Sequence, residues 1–237
     1  MSNVNIFSSS RFLEGFRDAA RVQQSLLAAV EKRCLVWLAR RMPTGVKPDH
    51  LTVLGFAAMI LAGSSYALAR WWPPSLIVVN VWLVVNWFGD SLDGTLARER
   101  RLERPRYGFY VDHIIDSLGA LFLLAGLALS GYMGWWVAAG LLVSFYLLSI
   151  NAYLATYTLG TFQLSYGKFS PTEIRILLAV GNVVALHRPT VHLFATPQRF
   201  FDVAGAVAII SMGAVLAVSV AHNIITLYRM ERLECAG

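Results

Sequence analysis

The chain has 237 residues, of which 57% are hydrophobic and only 14% charged. Soluble domains carry about 25% charged residues, so this composition excludes both a water-covered globule and a disordered chain. It points to an all-α integral membrane protein with several spans. The net charge is +6, and the two cysteines, Cys34 and Cys235, cannot build a disulfide framework.

Residues 1–47 read as a cytoplasmic N-terminal segment. The first residues lack the apolar core of a signal peptide, so insertion through the chain's own spans is expected. Between residues 11 and 42, Phe12, Phe16, Ala19, Ala20, Leu26, Leu27, Val30, Trp37 and Leu38 recur at helical spacing among Arg and Glu, and Pro43 ends the pattern. This predicts a basic amphipathic helix lying in the membrane interface, with packing on another subunit as the alternative. A membrane-crossing helix needs about 20 mostly apolar residues. Six such stretches follow within residues 48–237, at 51–69, 75–97, 108–130, 132–157, 173–194 and 200–228. The connections after residues 70 and 130 are short, which makes the helices they join antiparallel neighbours. Gly181, His187 and Pro189 interrupt the fifth stretch. Trp71, Trp72, Trp135 and Trp136 fall near the outer ends of spans and read as an interfacial belt.

Basic residues set the orientation. With this topology, 17 of the 20 Lys and Arg fall on one side, and only Arg70, Arg188 and Arg199 fall on the other. Both termini are therefore expected in the cytoplasm, and a bacterial inner membrane is the expected location. No nucleic-acid partner is implied.

Four carboxylates interrupt the apolar stretches: Asp90, Asp93, Asp112 and Asp116. An aspartate at the centre of a membrane helix costs roughly 2.5–3.5 kcal/mol even on lenient insertion scales. Arg98 is the one nearby cation, and it cannot neutralise four carboxylates by itself. Asp90 and Asp93 are three residues apart, and Asp112 and Asp116 four apart, so each pair shares a helix face. Taken as antiparallel neighbours, the two helices would bring all four into one cage. At about 1.5 Å per residue, all four lie in the cytoplasmic half. Two divalent cations would balance the charge, and hard oxygen ligands suit Mg²⁺ or Mn²⁺; a proton-linked carboxylate cluster is the alternative. Gly94 and Ala97 let a ligand approach the helix backbone, and Arg98, one turn on, is placed to hold a phosphate. This combination suits a nucleoside diphosphate.

From Asp90 to Asp116 the chain reads DSLDGTLARERRLERPRYGFYVDHIID. This closely resembles the signature of the CDP-alcohol phosphotransferase family, D-x2-D-G-x2-A-R-x8-G-x3-D-x3-D. Its eight fixed positions fall on Asp90, Asp93, Gly94, Ala97, Arg98, Gly108, Asp112 and Asp116, with nine residues rather than eight between Arg98 and Gly108. The six apolar stretches are similar to the family's architecture, as is Lys47-Pro48-Asp49-His50-Leu51-Thr52, where the family often has Asn in place of Asp49.

The resemblance implies a phospholipid-synthesis enzyme that transfers a substituted phosphate from a CDP-alcohol to an acceptor hydroxyl and releases CMP. It implies Asp90, Asp93, Asp112 and Asp116 as ligands of two Mg²⁺ or Mn²⁺ ions, with Asp116 also the general base. Gly94, Ala97 and Arg98 would contact the CDP moiety, Gly108 would allow close helix approach, and the protein would be a homodimer. The donor stays open. The run Asp112–Ser117 and the connection Tyr157–Glu173 resemble enzymes that transfer phosphocholine or phosphoethanolamine, whereas the short chain resembles bacterial enzymes that use CDP-diacylglycerol.

Lys168, Glu173 and Arg175 are candidates for a head-group pocket at the start of the fifth span, with ordinary interfacial charge as the alternative. His113, next to Asp112, is expected to point away from the cage and serve helix packing. Asn151, Tyr153 and Tyr157 could line a head-group site or hydrogen-bond between helices. A cation-coupled transporter with a carboxylate ion site is the competing function, but the carboxylates lie toward one face and no inverted repeat is visible. The expected topology has a direct check: a membrane-impermeant thiol reagent applied to intact cells should label neither Cys34 nor Cys235, and labelling of Cys235 alone would mean an odd number of spans.

Overall fold

The computed structural model describes residues 28–159, 171–193 and 196–231. Seven helices and one hairpin make up the described chain: α1 (Ala28–Arg41), α2 (Pro48–Leu68), α3 (Ser75–Glu99), α4 (Pro105–Leu129), α5 (Trp135–Leu159), α6 (Pro171–His187), β1 (Thr190–Leu193), β2 (Thr196–Arg199) and α7 (Phe200–Met230). Five of them, α2, α3, α4, α5 and α7, are long and apolar enough to cross a membrane. Proline fits the first turn of a helix, where its missing N–H costs nothing, and Pro48, Pro105 and Pro171 open α2, α4 and α6.

The fifth apolar stretch is shorter than expected. Helix α6 has 17 residues and stops at His187, rather than continuing to residue 194. Pro189 explains the stop, because it cannot donate to the helix and disfavours helical geometry in the residue before it. The following residues pair as an antiparallel hairpin, with Thr190 opposite Arg199 and Leu193 opposite Thr196, an element that an all-helical expectation does not contain.

The packing order also differs from the expected one. Helix α2 packs along both α3 and α4, whereas α3 and α4 are not packed along each other. Glycines make this possible. A Cβ at Gly89 of α3 would lie 2.6 Å from the backbone nitrogen of Gly55 on α2, and one at Gly126 of α4 would collide with the backbone of Gly63. Small residues at helix crossings let backbones approach closely in a membrane, where packing rather than the hydrophobic effect drives association. Helix α2 therefore bridges the two motif helices.

Helix α6 is fixed by a buried polar chain. The Tyr66 hydroxyl donates to Asn182 Oδ1 (2.7 Å), Asn182 Nδ2 to Asn80 Oδ1 (2.7 Å), and Asn80 Nδ2 to the Ala179 carbonyl (3.1 Å). Around it lies the larger apolar core, which includes Leu76, Val79, Leu123, Leu127, Ala185 and Phe201. A second cluster of Leu35, Ala39, Leu51, Leu92 and Leu96 packs α1 onto α2 and α3. The described part of the N-terminal amphipathic pattern thus turns Leu35 and Ala39 onto its own chain and leaves Trp37 exposed beside Arg41; its residues before 28 lie outside the described residues. Glu31 adds a polar tie, its Oε1 accepting from Trp87 Nε1 (2.8 Å) and Thr172 Oγ1 (2.7 Å).

Overpacking a tight contact costs about 1–3 kcal/mol. Gly126→Val should therefore lower the melting temperature of the purified protein by several degrees, whereas Gly213→Ala, where an added Cβ meets nothing, should leave it unchanged or slightly raised. Equal melting temperatures for the two variants would contradict the α2–α4 crossing.

Candidate active site

The crossing of α2 and α3 at Gly55 and Gly89 sets the first half of the site. Gly89 immediately precedes Asp90, and Thr52 stands one turn before Gly55. That geometry brings the Thr52 hydroxyl to 2.6 Å from Asp93 Oδ2, to which it donates. The other oxygen of Asp93 accepts from the backbone N–H of Gly94 at 2.5 Å.

Asp90 has a different partner. Arg175, delivered by α6, donates from Nη2 to Asp90 Oδ2 at 2.5 Å and from Nε to Asn86 Oδ1 at 2.8 Å. Asn86 in turn donates to the Gly55 carbonyl at 3.0 Å. This ties the cation, α3 and the glycine crossing into one network. Of the three candidate head-group residues, Arg175 is thus joined to the aspartates. Glu173 is half-buried on the same helix start, and Lys168 lies outside the described residues.

Helix α4 supplies the second half. Asp116 lies within Coulombic reach of Asp90, Asp112, Asp93 and Arg175, and Asp112 also of Asp93. Asp112 is half-buried and Asp116 exposed, so the carboxylates open onto accessible space between α3 and α4 instead of being sealed in a helix–helix contact. Asp93 and Asp116 each lie within Coulombic reach of the other motif aspartates, an arrangement held through α2 and not through direct packing of α3 on α4.

Arg98 is exposed at the end of α3, and its Nη2 donates to Thr95 Oγ1 at 3.2 Å, folding back beside Gly94. Among the described residues an added Cβ at Gly108 would meet nothing, which leaves room at the start of α4. His113 faces α5, with its ring 4.9 Å from that of Tyr153 and 4.1 Å from that of Phe109. Its Nδ1 donates to the Phe109 carbonyl (2.6 Å), as expected for a packing residue. Asn151 Nδ2 donates to Ser219 Oγ at 2.8 Å, tying α5 to α7.

Among the described residues, no three His, Cys, Asp or Glu side chains close on a single point as a finished metal centre. The donor set nevertheless fits a hard divalent cation. It consists of four carboxylates with one guanidinium among them, and Asp90 and Asp93 have turned oxygens onto protein donors.

The sequence profile of CDP-alcohol phosphatidyltransferases matches residues 46–221, most of the chain and every helix from α2 through most of α7. The chain belongs to the CDP-alcohol phosphatidyltransferase family. It is therefore a membrane enzyme of phospholipid synthesis acting by CDP-alcohol phosphotransfer, and the transporter reading falls. Over 64% of its length it is 29% identical to the archaetidylinositol phosphate synthase of Pyrococcus horikoshii, covering 77% of that protein. It is 26% identical to human cholinephosphotransferase 1 over 63% of this chain, spanning only 38% of the human enzyme. A shorter match, 39% identical over 74 residues, is to inner membrane protein YnjF of Escherichia coli, covering 31% of this chain and 32% of that protein.

Arg175 and Asp90 form a half-buried ion pair, and removing one partner leaves the other charge without its hydrogen-bonded counterpart. In EDTA, Arg175→Gln should therefore melt well below the unmutated protein. In Arg175→Gln/Asp90→Asn, much of that loss should be recovered, because the two positions are coupled. Additive losses would mean that the pair contributes nothing in the folded protein.

Proposed function

We propose that the enzyme transfers the alcohol-bearing phosphate of a CDP-alcohol to an acceptor hydroxyl at the four-aspartate site. The observation that carries this reading is the convergence of Asp90, Asp93, Asp112 and Asp116 on accessible space between α3 and α4. Gly94, Ala97 and Arg98 line the α3 side for the CDP moiety, with Arg98 available to a phosphate, and Gly108 leaves the α4 side bare. Mg²⁺ or Mn²⁺ ions held by the aspartates would neutralise the diphosphate and the departing phosphate of CMP.

Asp116 acts as the general base. The acceptor oxygen attacks the phosphorus that bears the alcohol, its proton passes to the Asp116 carboxylate, and the bond to the bridging oxygen breaks as CMP leaves. Asp116 suits this role because it is exposed and the deepest of the four, one turn beyond Asp112. Arg175 lies within Coulombic reach of it.

The same proposal includes six membrane crossings with the site toward the cytoplasm. The 17 residues of α6 rise about 26 Å, near the roughly 30 Å of a hydrocarbon core, and the excess of basic residues on one side supports the orientation. Two donors are supported: the short chain favours CDP-diacylglycerol, and the run Asp112–Ser117 favours a CDP-amino alcohol.

The test is CMP release by the purified protein with CDP-diacylglycerol or CDP-choline and a panel of acceptors. Turnover should vanish in EDTA and return with Mg²⁺. Asp116→Asn should bind the donor nearly as well as the unmutated enzyme and lose at least about 100-fold in turnover. Retention of roughly a tenth of turnover would remove Asp116 as the base.

A further inference from the structure

Of the four aspartates, Asp93 has both carboxylate oxygens held by uncharged donors: Gly94 N–H on Oδ1 at 2.5 Å and the Thr52 hydroxyl on Oδ2 at 2.6 Å. The Gly94 contact comes from Asp93's own helix. The Thr52 contact crosses from α2, 41 residues away in sequence, and exists because the backbones meet one turn further on at Gly55 and Gly89. Thr52 has a single hydroxyl proton. Its oxygen also lies 3.2 Å from the Pro48 carbonyl, but the shorter approach to a carboxylate takes the proton, since charge-assisted bonds are the shorter and stronger ones.

We infer that Thr52 is a positioning residue for the catalytic metal site: its hydroxyl fixes the orientation of Asp93 so that the remaining lone pairs face Asp90, Asp112 and Asp116. This rests on the reading of the aspartates as divalent-cation ligands. A carboxylate on a helix can turn about two side-chain bonds, and a free one must be ordered each time a cation binds. Groups that hydrogen-bond a ligating carboxylate typically govern metal affinity by 10–100-fold. Asp90 is held instead by a cation, Arg175, which a metal ion must compete with, whereas Thr52 can remain in place when a metal binds. Thr52 is half-buried at the start of α2, so its polar atom serves the site rather than the lipid face.

The experiment follows thermal stability of the purified, substrate-free protein as Mg²⁺ or Mn²⁺ is titrated in, with CMP-release kinetics beside it. Thr52→Val keeps the shape and removes the donor; Thr52→Ser keeps the donor. Thr52→Val should raise the cation concentration at half-stabilisation at least about 10-fold, with turnover at saturating cation within a few-fold of normal. Thr52→Ser should restore the midpoint. If Thr52→Val fails to fold, Thr52→Ala is read in the same way. An unchanged midpoint for a folded Val or Ala variant would overturn the inference, as would equal shifts for Ser and Val. If the unmutated protein shows no stabilisation by either cation, the metal reading itself fails and takes this inference with it.

Discussion

The close crossings of α2 with α3 and with α4 are the contacts on which the rest of the site depends. The motif helices do not hold each other; α2 holds both, at Gly55–Gly89 and at Gly63–Gly126. A side chain at Gly89 would push α2 away from α3, and two effects would follow together. Thr52 would withdraw from Asp93, and the anchor of Asn86 on the Gly55 carbonyl, which in turn steadies Arg175, would be lost. Backbone proximity thus becomes the placement of polar atoms, which is how a membrane protein without much hydrophobic drive between helices can build a site accurate enough for chemistry.

The second constraint is charge. Asp93 and Asp116 stand within Coulombic reach of Asp90, of Asp112 and of each other, and the Arg175 guanidinium is hydrogen-bonded to Asp90. Like charges at this range repel one another, and a bound cation would offset that repulsion under the proposed reading. Cost and function come from the same feature: residues this expensive in a membrane are retained for what they bind.

How much could be read from the sequence follows from which interactions are local. The spans at 51–69, 75–97, 108–130, 132–157 and 200–228 were legible because each is a continuous apolar run of membrane length. The shared faces of Asp90 with Asp93 and Asp112 with Asp116 were legible from helical spacing. The stretch at 173–194 misled, because its hydropathy carried the span across Pro189, already visible as an interruption, where α6 has ended and a hairpin follows. Taking the motif helices as antiparallel neighbours implied direct packing, but nothing local in their sequence shows that a third helix, α2, bridges them. Thr52 lay within a noticed run yet carried no role, since its partner is 41 residues away. The chain from Tyr66 through Asn182 to Asn80 joins residues up to 116 apart and left no periodic signal.

If the four aspartates hold the cations at which CDP-alcohol phosphotransfer takes place, Mn²⁺ titrated into the purified protein with a bound CDP-alcohol should give an electron paramagnetic resonance signal of tightly bound, magnetically coupled ions. That signal should disappear in Asp90→Asn. Absence of bound Mn²⁺, or a bound signal that Asp90→Asn leaves unchanged, would contradict that assignment.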